Sequence, residues 1–156
     1  MSPRPLAHSV ALPALSRRAL LLALAGLPAG RADAAVARTS VASVADFGSA
    51  LAFLSGRHAN VLVYVSARWC PICKAVDATV LASARVRTAL RRVPLVKVDV
   101  TASNGESRAL LRLLAAEGPP TLFVADARAR AEQPGTRLVG AFPEDALLNR
   151  LRPYTG

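Results

Sequence analysis

Along residues 43–55 the apolar side chains Val44, Phe47, Leu51 and Leu54 recur at helical spacing, which predicts an amphipathic helix with Gly56 placed to cap its end. The pattern then changes. Residues 60–66 (Asn-Val-Leu-Val-Tyr-Val-Ser) are β-branched and almost continuously apolar, as suits a central strand covered on both faces. A second helix is predicted from about Pro71, because a proline's missing N–H loses nothing in the first helical turn. Val76, Val80 and Leu81 form its apolar side, and a break or bend near Ser83 precedes more helix to Arg91. Residues 94–100 (Pro-Leu-Val-Lys-Val-Asp-Val) predict another strand, and residues 105–117, with Leu110, Leu111, Leu113 and Leu114, a helix ending at Gly118. Strands at 121–125 and 137–141 flank a connection, 127–135, that suits a loose hairpin with an exposed polar tip. Pro143 opens a last helix with Ala146, Leu147 and Leu151 on its face. The order α-β-α-β-α-β-β-α predicts an α/β fold, a central mixed sheet of about four strands with helices on both faces.

Residues 1–34 do not fit that alternation. Arg4, Arg17 and Arg18 precede an apolar run, 19–27, too short to span a bilayer, and Ala32-Asp33-Ala34 offers a small-residue cleavage site. We expect a cleavable export signal, with Ala35 the first residue after processing. An uncleaved anchor or a buried helix would be the alternatives, and Pro28, Gly30 and the small residues at the boundary speak against both. Ser16-Arg17-Arg18 before Ala-Leu-Leu also resembles a twin-arginine signal, with ordinary secretion as the other route. Residues 35–42 are small and polar enough for a disordered lead-in, which leaves 43–156 as a single domain with a real core. No later segment stays apolar for the ~18 residues of a membrane helix, so the processed chain is expected to be soluble.

Charge adds little. The formal net charge of +10 at pH 7 falls to about +7 once Arg4, Arg17, Arg18, Arg31 and Asp33 leave with the signal. Lys74 and Lys97 are the only lysines, the arginines are scattered apart from Arg85, Arg87, Arg91 and Arg92, and no basic run interleaves with aromatics. Nucleic-acid binding is therefore not expected.

Chemistry concentrates at Trp69-Cys70-Pro71-Ile72-Cys73-Lys74, which holds both cysteines of the chain. It lies between the predicted strand 60–66 and the helix that follows. A helix starting there aims its unpaired N–H groups and positive dipole end at Cys70 and favours thiolate, and Arg68 adds positive potential. Cys70, with its side chain near solvent, is the expected attacking sulfur. Cys73, one turn further in, would resolve a mixed disulfide by attacking Cys70. Two other readings compete. A structural disulfide across so short a loop stabilises little. A zinc site would need two more ligands where only His58 remains after signal removal. No metal or other cofactor is expected.

These residues, with Val98-Asp99-Val100 closing the second strand and Gly118-Pro119-Pro120-Thr121 before the third, resemble the thioredoxin superfamily over about residues 43–153. Within it the chain is most similar to the C-terminal periplasmic domain of the thiol:disulfide interchange reductase DsbD, through Asp99-Val100-Thr101-Ala102, the leucine-rich helix and Gly140-Ala141-Phe142. The resemblance implies a thioredoxin fold and a cis bond at Pro119-Pro120, with Pro120 facing the dithiol and the backbone before it open to an extended client. A Pro-Pro that merely ends the preceding helix is the plainer alternative. Trp69, Pro71, Ile72, Pro119 and Thr121 would form the client-binding surface, although Trp69 could equally pack on its helix. One departure stands out. Thioredoxins carry a buried acid six positions before the first cysteine, and here that position is Tyr64. Asp77, four residues past Cys73 on the same helix face, is the substitute proton relay, with a surface pair to Lys74 as its alternative.

The expected activity is that of an exported, periplasmic thiol-disulfide oxidoreductase, mainly a reductase of disulfides in envelope proteins such as apocytochrome c or an isomerase. It would be re-reduced by a membrane electron donor of the DsbD type and would act as a free-standing monomer. A disulfide-forming oxidase of the same fold and a non-catalytic client-binding module are the alternatives.

Overall fold

A computed structural model describes residues 38–156; the export signal expected at 1–34 and the start of the lead-in lie outside the described residues. The elements are β1 (Arg38–Val41), α1 (Val44–Ser55), β2 (Asn60–Ser66), α2 (Pro71–Ala75), a π turn (Val76–Val80), α3 (Ala84–Ala89), β3 (Leu95–Asp99), α4 (Gly105–Leu113), β4 (Thr121–Asp126), β5 (Ala131–Glu132), β6 (Leu138–Val139) and α5 (Glu144–Leu151), followed by a short 3₁₀ turn (Arg152–Tyr154).

The sheet runs β1-β3-β2-β4-β5, with β6 also on β4, so it has six strands rather than the four or so expected. β3 lies parallel to both β1 and β2, while β4 runs antiparallel to β2 with Val63 opposite Phe123 and Val65 opposite Thr121. Six consecutive residues of β2, Val61 to Ser66, are buried, so both of its faces are covered, as its unbroken apolar run requires. Tyr64 at its middle has no exposed surface.

The two extra strands, β1 and β5, are invisible to hydropathy. Arg38–Val41 falls inside the stretch expected to be disordered, yet it pairs in parallel with Leu95 to Val98 at the sheet edge. Only Val41 of its residues 39–41 is buried, because an edge strand needs little apolar surface. The loose tip expected at 127–135 is instead a tight turn into β5. Asp126 Oδ1 accepts the backbone N–H groups of Arg128 (2.8 Å) and Ala129 (2.7 Å), an Asx turn that lets Arg130 take a φ of +56°.

The helices follow their apolar spacing. Phe47, Leu51 and Leu54 of α1, Leu110 of α4 and Leu147 and Leu151 of α5 are buried, whereas Val44, at the exposed start of α1, is not. Side chains cap three of these N-termini: Ser43 accepts from Asp46 N–H (3.1 Å), Ser83 from Val86 N–H (3.2 Å) and Asn104 from Ser107 N–H (3.0 Å). Such caps contribute about 1 kcal/mol each. Gly56 ends α1 as expected, without left-handed backbone (φ −70°), but Gly118 does not end α4: that helix stops at Leu113, and the chain turns at Ala115, with a φ of +46°. The bend near Ser83 is present, and ahead of it the helix widens into a π turn in which Leu81 N–H reaches back to Val76 O (2.9 Å).

Arg137 ties β6's approach to the rest of the molecule. It forms an ion pair with Glu132, donates to the carbonyls of Leu114 (3.0 Å) and Ala115 (3.2 Å) at the end of α4, and stacks 4.6 Å from the Phe123 ring. No helix among the described residues is long and apolar enough to cross a membrane.

Candidate active site

β2 ends at Ser66, and the chain turns through 67–70 to start α2. Three contacts fix that turn: Cys70 N–H donates to Ala67 O (3.1 Å), Arg68 N–H to Thr101 Oγ1 (2.9 Å) and the Trp69 indole N–H to Thr101 O (3.1 Å). Thr101 is held in turn by its own N–H donating to Asp99 Oδ1 (2.8 Å). The Asp-Val-Thr segment after β3 thus fixes Trp69 with its side chain in solvent, 56% exposed. Thr101 was legible only as part of a resembling motif, and nothing in the spacing assigns it this support.

Cys70 and Cys73 form a disulfide with a Cα–Cα separation of 5.3 Å. Cys70 occupies the N-cap position of α2, and its Sγ accepts the Cys73 backbone N–H at 3.0 Å. In the reduced protein this N–H, at the start of a helical run that continues through the π turn, favours negative charge on the Cys70 sulfur. Cys70 does not face solvent as expected. It is only 3% exposed and Cys73 1%, because the Cys70 sulfur backs onto the Pro119 carbonyl, 3.7 Å away.

Pro119-Pro120 is cis, as the resemblance implied. Pro120 is buried, its carbonyl accepting Gly140 N–H (3.0 Å), and Pro119 is half-buried above the sulfur. Thr121 does not reach the surface: it is 1% exposed, and its hydroxyl is spent on Gly118 O at 2.7 Å, so it supports the proline turn from behind. Pro71 and Ile72 are exposed on the other side of the disulfide. Val139, which patterning did not single out, lies by the proline turn. It pairs with Thr121 and is 64% exposed beside Gly140, whose φ of +72° explains the glycine there. Exposed Trp69 and Ile72 adjoin the cysteines in the chain, and Pro119 and Val139 belong to the proline turn that the Cys70 sulfur touches, so apolar side chains adjoin a nearly buried disulfide.

Beneath it lies Tyr64. Its hydroxyl donates to the Cys73 carbonyl at 3.2 Å, and burial pushes its pKa up to about 12, aided by the Asp77 charge and opposed by a hydrogen bond with Ser66. The phenol is a donor at neutral pH and cannot replace a carboxylate as proton acceptor. Lys97, opposite Tyr64 in the β2–β3 register, sits 5.3 Å from the ring centroid and 2.7 Å from Asp77 Oδ2. Asp77, in the π turn, therefore pairs with Lys97 of β3 and not with Lys74 of α2. Both open onto a cleft of about 560 Å³ that Ser40, Arg68, Lys74 and Asp99 also line. Among the described residues no group of three or more His, Cys, Asp or Glu side chains could hold a metal, and His58 Nδ1 lies 3.3 Å from Arg92 O.

A thioredoxin-like family model matches residues 42–127. The chain belongs to the thioredoxin-like family. It is 34% identical to the thiol:disulfide interchange protein DsbD of Salmonella paratyphi A over 115 residues, and 34% identical to that of Klebsiella pneumoniae over 129 residues. These matches cover 74% and 83% of this chain but only 20% and 21% of the relatives, so the chain spans about a fifth of their length. The oxidised DsbD C-terminal domain of Neisseria meningitidis superposes with a TM-score of 0.64 at 26% identity, covering 74% of this chain and 99% of that one. A thioredoxin from Thermus thermophilus gives 0.60 at 26% identity, covering 75% and 86%. The six-stranded mixed sheet is a thioredoxin fold, and this thioredoxin-like domain carries its cysteine pair at disulfide distance, as thiol–disulfide exchange requires.

Proposed function

We propose that this chain is an exported thiol-disulfide oxidoreductase that mainly reduces disulfides of envelope proteins. The observation that carries this is the Cys70–Cys73 pair at the start of α2, with the Cys70 sulfur against the Pro119 carbonyl and apolar side chains adjoining it. In the reduced protein the Cys70 thiolate, held by the Cys73 N–H, attacks one sulfur of a client disulfide and expels the other as a thiolate. Cys73 then loses its proton and attacks Cys70 Sγ, which breaks the mixed disulfide, frees the second client thiol and leaves the Cys70–Cys73 disulfide. Two electrons pass from the dithiol to the client. Asp77 accepts the Cys73 proton from the cleft side, a role its place beside Tyr64 and Lys97 supports. Trp69, Ile72, Pro119 and Val139 contact the client, and Pro120 and Thr121 hold Pro119 in place.

The likeness to DsbD supports a periplasmic setting and a membrane electron donor of the DsbD type for re-reduction. The signal expected at 1–34 agrees with that setting. Cys70→Ala and Cys73→Ala are each expected to abolish multiple-turnover reduction of a protein disulfide, with Cys73→Ala trapping the mixed disulfide. Either variant working at the wild-type rate would end the proposal. Direction is read from the dithiol potential in glutathione buffers: a value near about −270 mV marks a donor, and one near about −120 mV a disulfide-forming oxidase.

A further inference from the structure

Arginines scattered along the sequence are gathered by the fold at one end of the molecule, the end away from the dithiol. β2 starts there and runs for seven residues toward Cys70, so about 20 Å of strand separates the two ends. Three connections meet at its start: residues 56–59 lead from α1 into β2, 90–94 from α3 into β3, and 127–130 from β4 into β5. They are joined to one another. Ala127 N–H donates to Ala59 O (2.9 Å), Leu62 N–H to Pro94 O (2.9 Å), and His58 Nδ1 lies 3.3 Å from Arg92 O. Arg57, Arg91, Arg92 and Arg128 are all exposed on these connections, and Arg57, His58 and Arg128 border a cleft of about 390 Å³.

No free carboxylate balances them. Among the described residues none of the four arginines forms an ion pair, and only Arg128 bonds within the fold through its side chain, from Nε to Ser55 O (3.4 Å). The acids near this end are already engaged. Asp126 Oδ1 accepts the N–H groups of Arg128 and Ala129, and Glu132 pairs with Arg137. Of the other carboxylates, Asp46, Asp99, Glu106 and Glu117 lie toward the dithiol end, and the rest are paired with Lys97 or Arg85. The molecule is therefore polarised, with its positive pole opposite the disulfide.

We propose that this end of the domain is a docking surface for the anionic headgroups of a lipid bilayer. Guanidinium forks match phosphodiester oxygens, and a bilayer presents many of them in one plane. The exposed residues of the three connections include no large apolar side chain, so the hydrophobic centre of an ordinary protein interface is missing. A charged bilayer needs none, because each arginine near it gains from the surface potential alone. Phe53, in the last turn of α1, stands 75% exposed one turn before Arg57, where an aromatic ring can enter the headgroup layer. Docked in this way, the protein holds its disulfide and Trp69 away from the bilayer and toward soluble clients. Meeting a membrane electron donor then requires the domain to let go and turn over, which weak, salt-screened binding permits.

The test is flotation of the purified protein with vesicles of phosphatidylcholine alone and of phosphatidylcholine mixed with phosphatidylglycerol. Binding is expected to the mixed vesicles only, and to be lost when salt rises from about 0.1 M to about 1 M. Arg57→Ala with Arg128→Ala should lower the partition coefficient about tenfold to thirtyfold. Arg108→Ala with Arg112→Ala removes the same charge from exposed positions of α4 and should leave it within about threefold of wild type, because charges more than a Debye length from the surface are screened. Trp69, the chain's one tryptophan, reports orientation, and its emission should escape quenching by lipid brominated in the acyl chains. Binding to phosphatidylcholine alone, no binding to the mixed vesicles, equal losses in the two double variants or strong quenching of Trp69 each overturns the inference. Equally tight binding to soluble polyglutamate would assign the surface to an acidic protein and overturn it too. The inference goes beyond disulfide reduction, which is measured without vesicles and stands or falls separately.

Discussion

Two clusters in this molecule are built from the same three parts, a cation, an aromatic face and a carboxylate. Arg137 stacks on Phe123 and pairs with Glu132, and Lys97 sits over Tyr64 and pairs with Asp77. They differ in where the chain of contacts ends. Arg137 uses its remaining N–H groups on the carbonyls of Leu114 and Ala115, so that cluster closes on the backbone and joins α4 to the hairpin. The second cluster stays open. Its aromatic ring carries a hydroxyl that reaches the Cys73 carbonyl, and its ion pair faces a cleft, with the Asp77 side chain 40% exposed. The same components make a clamp when every polar atom is satisfied within the fold. They reach the dithiol when one of those contacts ends on the Cys73 backbone.

The contrast breaks most visibly at Arg137. Arg137→Ala leaves Glu132 unpaired and frees two carbonyls, so a loss of about 2–4 kcal/mol is expected, or roughly 10 °C in melting temperature by calorimetry, with single-turnover reduction at the wild-type rate below the transition. A slowed reduction would mean the two clusters are coupled. Tyr64→Phe is the sharper probe, because the ring that faces Lys97 remains and only the hydroxyl goes. About 1 kcal/mol should be lost at neutral pH. The wild-type phenol has its pKa raised from 10.0 to about 12, so folding retains its proton and the associated stability is present below pH 10. That stability drains away as pH rises through about 12, and alkaline denaturation of Tyr64→Phe should lack this component. Asp77→Asn should cost least, under about 1 kcal/mol, since its ion pair is partly exposed. Its effect is expected in kinetics: the step in which Cys73 releases the client should slow, while attack by Cys70 keeps its wild-type rate. An unchanged Cys73 step would return Asp77 to the same structural role as Glu132.

Patterning revealed β2, α1 and the dithiol turn because each buries apolar residues at a fixed period or sets paired cysteines at a helix start. The proline turn was legible only through the family resemblance. β1 was not visible, since Arg-Thr-Ser-Val carries one core residue and owes its conformation to β3. The partner of Asp77 was missed for a similar reason. Helical spacing points to Lys74, whereas Lys97 arrives from a neighbouring strand, and only the sheet register places it over Tyr64. Val139 lies on the strand expected at 137–141, but only the pairing with Thr121 places it by the proline turn.

β1 also bears on how the chain is handled before it is folded. It lies at the sheet edge and pairs only with β3, which follows α1, β2 and the dithiol helices in the chain. A strand whose one partner is so distant pairs only after a long loop has closed, and it is among the first elements to detach. Docking of β1 is therefore expected late in assembly, once β3 is in place to receive it.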